Sequence, residues 1–128
     1  MITKLDHVQL AMPAGGEERA RAFYSGILGL AEAEKPPALA ARGGCWFTGS
    51  GVHVHLGVEK DFRPATKAHP AFTVRDLAEL KAALERAGYE VIPDHAVPGM
   101  ERFYAHDPFG NRIEFIQHGH GFSQRAQG

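Results

Sequence analysis

The sequence predicts an α+β protein made of two copies of one strand–helix–strand–strand–strand (βαβββ) unit. Three observations carry this expectation. Short stretches alternate apolar and polar residues, two segments place apolar residues at helical spacing, and the order of these elements repeats after about sixty residues.

Residues 4–12 alternate as a strand, with Leu5, His7, Gln9 and Ala11 on one face and Val8, Leu10 and Met12 on the other. Pro13 to Gly16 break it. The segment "EERARAFYSGILG" then predicts a helix: Ala20, Phe23, Tyr24, Ile27 and Leu28 form an apolar stripe, and Gly29 suits the C-terminal cap. "LAEAE", "ALAARGGCWFTGSG" and "VHVHLGVE" are expected as three strands separated by Pro36-Pro37 and by glycines. "KDFRPATKA" reads as a linker. The second copy opens with "HPAFTV", and Asp76 is placed to cap the helix "LAELKAALERAG". "YEVIP", "ERFYAHD" and "NRIEFIQ" complete it, the last two joined by the turn "DPFGN". Module one is therefore expected over 1–60 and module two over 68–118, within one domain over 1–118. Residues 119–128, "GHGFSQRAQG", are expected as a flexible tail.

A chain of 128 residues is one domain's worth. A net charge of −1 gives no electrostatic footprint for nucleic acid or for an anionic membrane surface. The sequence has no apolar run of membrane-spanning length, no signal-peptide pattern and one cysteine, Cys45, so a cytoplasmic location is expected. The eight histidines are many for this length, and their positions are informative.

Strand alternation aims some of them. In "VHVHLGVE" the valines and Leu56 belong against the helix, leaving His53, His55 and Glu59 on the other face. In "NRIEFIQ", Ile113 and Phe115 belong against the helix, leaving Arg112, Glu114 and Ile116 opposite. His7 and His69 begin equivalent strands of the two halves, and His55 and Glu114 sit mid-strand at equivalent places in each half's last strand. If the sheets curve toward each other, His7, His55, His69 and Glu114 converge. Imidazole nitrogens with a carboxylate suit a divalent ion such as Zn, Ni, Fe, Mn or Co. Taken singly, each histidine reads as an ordinary hydrogen-bonded residue; the repeat-equivalent placement of all four favours a metal site. His53 reads as a rim residue, and His95, His106, His118 and His120 as surface residues.

At "LDHVQLAM", "RAFYSGILGL", "AHPAFTVRDLAELKAALERAG" and "FYAHDPFGNRIEFIQ" the chain resembles the vicinal oxygen chelate superfamily of glyoxalases, bleomycin-resistance proteins and extradiol dioxygenases, over residues 3–118. The resemblance implies paired modules forming a curved mixed sheet around a metal-binding cavity. It implies His7, His69 and Glu114 as ligands, with His55 as a fourth. It implies a Lewis-acid metal chelating vicinal oxygens of a small-molecule substrate, and a homodimer. Two residues depart from glyoxalase I: its relatives carry glutamate where His55 stands, and a basic residue where Ala11 stands. His55 and Glu114 are the candidates for proton transfer, and Gln9, Phe47, Arg102 and Tyr104 for substrate contact. The leading expectation is a glyoxalase-type lyase or isomerase. An Fe(II) extradiol-type dioxygenase and a metal-free ligand-binding protein of the bleomycin-resistance kind are the alternatives.

Overall fold

The computed structural model describes residues 1–127. It divides into two compact units, Met1–Pro64 and Ala65–Gly128. Each holds a four-stranded mixed sheet with the same strand order, which gives the α+β architecture of paired βαβββ modules.

In the first unit, β1 (Val8–Met12) lies at the sheet edge beside β4 (Val52–Val58), followed by β3 (Cys45–Gly49) and β2 (Ala31–Ala33). The pairing of β1 with β4 is parallel and the others are antiparallel. Helix α1 (Glu17–Tyr24) makes the crossover and buries Ala20, Phe23 and Tyr24. These meet Met12, Cys45, Phe47, Val54 and Leu56, all at most 1% exposed. Tyr24 stacks on Phe47 with ring centroids 5.4 Å apart.

The second unit repeats the plan with β5 (Ala71–Val74), β8 (Arg112–Gln117), β7 (Arg102–His106) and β6 (Ile92–Pro93), in that order. Helix α3 (Leu77–Arg86) buries Leu77, Leu80 and Leu84. Its first turn is well satisfied: Asp76 accepts from the Glu79 N–H at 3.1 Å, and the Gln117 side chain accepts from the Leu77 N–H at 3.0 Å. The β7–β8 turn is closed by Asp107, whose carboxylate accepts from the N–H groups of Phe109 and Asn111 and from the Asn111 amide, each at 2.9 Å.

Several boundaries differ from the sequence expectation. β1 begins at Val8 rather than residue 4, and the residues ahead of it are exposed. Helix α1 stops at Tyr24; beyond it the N–H groups of Gly26 and Leu28 bond five residues back, to Arg21 and Phe23, so the chain winds more widely before Gly29. The expected strand over 38–51 forms only from Cys45. Its start is instead a short helix, α2 (Pro37–Ala40), because Pro37 suits a first helical turn and "ALAA" has no alternation. The residues after His118, expected as a flexible tail, include a helix α4 (Phe122–Gln127); Gly128 lies outside the described residues. The approach to α4 is pinned by hydrogen bonds from the His118 N–H to Val74 and from the Glu101 N–H to His120 Nδ1.

Candidate metal centre

The four candidate ligands fall one pair to each unit, His7 with His55 and His69 with Glu114. In the first unit, the register sets Trp46 opposite His55 and Thr48 opposite His53, all four on the sheet face away from α1. The Trp46 and His55 rings stack at 4.0 Å between centroids and within 4° of parallel. The His7 ring covers the other side of His55 at 4.2 Å. Asp6 accepts or shares a proton with His7 Nδ1 at 2.9 Å, which aims the other ring nitrogen away from the carboxylate. That bond, first of all, holds the Asp6 carboxyl below the usual carboxylate range. Burial, and then the neighbouring His7, push His55 below the ordinary imidazole value, which favours the neutral ring.

A cleft of about 560 Å³ opens on this face, lined by the three rings with Gln9, Leu39 and Thr48 among others. Gln9 lies across Gly57, where an added Cβ would come within 2.6 Å of the Gln9 amide nitrogen. Phe47 also borders this cleft, although it is 1% exposed and packs on Tyr24; its neighbour Trp46 stacks on His55 on the opposite face, because neighbouring strand residues alternate.

In the second unit, His69 stands just ahead of β5 and Glu114 in the middle of β8. His69 Nε2 and Glu114 Oε1 are 3.1 Å apart, and His69 Nδ1 is 2.9 Å from the Lys67 carbonyl oxygen. A carbonyl only accepts, so Nδ1 carries a proton. Nε2 then faces a carboxylate oxygen and needs either a second proton or a shared cation between them. Glu114 is 4% exposed. Its other oxygen, Oε2, accepts from Arg102 Nη1 at 2.9 Å. Arg102 Nη2 pairs with Asp94 at 3.2 Å, and the Glu114 bond leads the causes that raise the guanidinium's already high pKa. The Tyr104 ring lies 4.0 Å below the Arg112 guanidinium and meets the edge of His69 at 5.3 Å.

Among the described residues no three His, Cys, Asp or Glu side chains are gathered into one group. The donor chemistry nevertheless fits a divalent ion. Two donors about 2.1 Å from one metal, approaching at right angles, stand about 3 Å apart, which is the His69–Glu114 spacing. Three of the four candidates also have the orienting partner that ligands need: Asp6 for His7, the Lys67 carbonyl for His69, and Arg102 for Glu114. Sequence reasoning missed these partners. The signals were present: Asp6 adjoins His7, and Arg102 shares a strand face with Tyr104, which the hairpin register sets opposite Glu114. His53 is exposed and shares a hydrogen bond with Thr48 at 3.2 Å. Among the described residues no helix is long and apolar enough to cross a membrane.

The chain is similar to several known proteins. Residues 4–115 match the family model of the glyoxalase/bleomycin resistance protein/dioxygenase superfamily. A crystal structure of a glyoxalase family protein from Bacillus anthracis is 53% identical, with a TM-score of 0.87, over 91% of this chain and 96% of that one. A variant of the fosfomycin resistance protein FosX from Listeria monocytogenes, crystallised with Mn(II) and a dihydroxypropylphosphonic acid, is 20% identical with a TM-score of 0.79 over the whole of both chains. FosX from Mesorhizobium loti is 16% identical with a TM-score of 0.72, over 98% of this chain and 99% of that one. No curated protein matches the sequence. On the family match and the close structural relative together, the chain belongs to the glyoxalase/bleomycin resistance protein/dioxygenase superfamily.

Proposed function

We propose that the protein is a divalent-metal-dependent enzyme of glyoxalase type, a lyase or isomerase acting on a small molecule that carries vicinal oxygens. His7, His69 and Glu114 would hold the metal, and His55 would serve either as a fourth donor or, with its lone pair free of the ion, as the proton-transfer base; the sharing of these residues within one chain or across a homodimer is left to experiment. One observation carries the reading: His69 Nε2 and the buried Glu114 Oε1 face each other at 3.1 Å while Nδ1 is already committed to a carbonyl, an arrangement that a cation completes. The Mn(II) in the FosX structure is consistent with a divalent ion in this superfamily.

When bound, the metal would act as a Lewis acid, polarising the chelated oxygens and stabilising negative charge that develops on them. The chain's own residues would do the rest. His55, whose burial favours the neutral ring and which is held by ring stacking, would in the second of these roles take a proton from the carbon beside the chelated oxygens and return it to the neighbouring carbon. Glu114 is the other proton-transfer candidate, but its two oxygens are both engaged, which favours His55 for that role. Gln9, Phe47 and Trp46 on the first unit's cleft, and Tyr104 beside His69, are the candidates to orient the substrate.

The test is reconstitution of chelator-stripped protein with Mn, Ni, Zn, Co or Fe(II), followed by assay of hemithioacetal isomerisation, fosfomycin opening and catechol cleavage. The reading expects an isomerisation or ring-opening activity that needs the ion and is indifferent to oxygen. Oxygen-consuming ring cleavage with Fe(II) would replace it with the dioxygenase reading. Failure to bind any divalent ion, together with tight binding of bleomycin, would replace it with a sequestering protein.

A further inference from the structure

Arg102 is a substrate-contact candidate in the sequence, yet both of its terminal nitrogens are engaged by groups of its own unit. We propose that Arg102 is a positioning residue that makes Glu114 a one-oxygen ligand, binding Oε2 so that Oε1 alone faces His69 and the ion. The inference rests on the metal-centre reading above.

The strand register delivers the contact. Tyr104 lies directly opposite Glu114, and Arg102 is two residues earlier on the same strand, hence on the same face. Its guanidinium reaches diagonally to Oε2 at 2.9 Å. The final torsion of a glutamate is broad and nearly two-fold. Unrestrained, the carboxylate can exchange its oxygens or offer both. A charge-assisted hydrogen bond on one oxygen removes that freedom.

Arg102 is itself held from several sides. Asp94 pairs with Nη2 at 3.2 Å, and the Tyr104 hydroxyl lies 3.4 Å from Nη1. The rings of Tyr104 and Phe122 stand 5.8 and 5.6 Å from the guanidinium carbon. Its side chain is 10% exposed, and its Nε is buried without a hydrogen-bond partner. The guanidinium thus turns both terminal nitrogens to carboxylates and leaves its third donor unmatched. A lysine supplies the charge without the planar fork.

The test uses the full chain with Arg102→Gln and Arg102→Lys, titrated with Mn(II) while the free ion is followed by electron paramagnetic resonance. Circular dichroism checks the fold. Should Arg102→Gln fail to fold, combining it with Asp94→Asn removes one of the two carboxylates left without a cation and allows the same titration. The proposal expects Mn(II) affinity to fall about 10- to 100-fold in Arg102→Gln, as for loss of other ligand-orienting partners, with partial recovery in Arg102→Lys. In the loaded enzyme kcat should fall while KM stays near the native value. A folded Arg102→Gln protein that binds Mn(II) as tightly as the native one overturns the inference. So does a loss confined to the KM of an anionic substrate, which would make Arg102 a substrate contact. If the native protein binds no divalent ion at all, the metal reading itself fails, a result distinct from either of these.

Discussion

The two units share a strand order but secure their candidate donors by different means. In the first, the donors are the imidazoles of His7 and His55, held in a ring stack with Trp46; the His7 side chain is 40% exposed. In the second, Glu114 is buried and tied into a run of charges from Asp94 through Arg102 to His69. Duplication copies the scaffold, while each copy's chemistry depends on what surrounds its last strand. Stacked rings tolerate loss of a member, because what is lost is partly exposed surface. A buried ion-pair run does not, because removing one member leaves another desolvated and unmatched.

The largest contrast should therefore appear on truncating one donor of each unit. Glu114→Ala is expected to cost about 3 kcal/mol of stability, since Arg102 keeps only Asp94. His7→Ala should cost less than about 1 kcal/mol. Chemical denaturation of both variants measures the difference; equal losses would show that the ring stack is as demanding as the ion-pair run.

Glycines sharpen the comparison next. Gly44 has φ +87° and its N–H donates to Glu17 at 2.9 Å. An added Cβ there would meet the Leu56 carbonyl oxygen at 2.1 Å, so backbone must move. Gly88, after α3 in the second unit, has φ +88° but open space around an added Cβ. Gly88→Ala should cost about 1–2 kcal/mol from the left-handed backbone alone. Gly44→Ala should cost clearly more. Equal melting temperatures for the two variants would remove the steric part of this account.

Much of the fold was legible because the signals were local and doubled. The helix of the second unit is marked by Asp76, its leucine spacing and Gly88, and α3 forms where expected. The aspartate-to-asparagine turn was read from "DPFGN" in the same way. What was not legible depends on partners distant in sequence. Residues 4–7 alternate like a strand, but the β4 partners of β1 extend only from Val54 to Val58. The face of the sheet was readable for His55 and Glu114, whereas the pairing of Trp46 with His55 required the register of β3 against β4. The ion pairs of Arg102, named as a substrate-contact candidate, were not readable because its two carboxylates lie eight and twelve residues away.

Helix capping gives a smaller test. Helix α1 has no side-chain cap at Gly16, whereas α3 is capped by Asp76. Asp76→Ala should lower stability by about 1 kcal/mol, read as a shift in the denaturation midpoint without a change in slope.

The smallest expected effect is a pH dependence in the first unit. The Gly44 N–H, then Glu17's own backbone, hold the Glu17 carboxyl below its ordinary value of 4.5. A carboxyl depressed in the folded state contributes stability that is present above its unfolded pKa and lost as pH falls through the folded one. Glu17→Gln should therefore lie closer to the native protein in acid than at neutral pH, with a gap at neutrality of about 1 kcal/mol. Melting curves at several pH values check the sign; a gap that widens in acid would contradict it.

The proposed metal centre is tested most directly by the stoichiometry and affinity of divalent-ion binding in the native protein and in variants that each lack one candidate donor. Mn(II) titrations of His7→Ala, His69→Ala and Glu114→Gln, each checked for folding, would be compared with the native chain. The account predicts one ion per chain in the native protein and loss of that ion whichever unit is altered. Binding that survives loss of the first unit's donor, or of the second's, would contradict it.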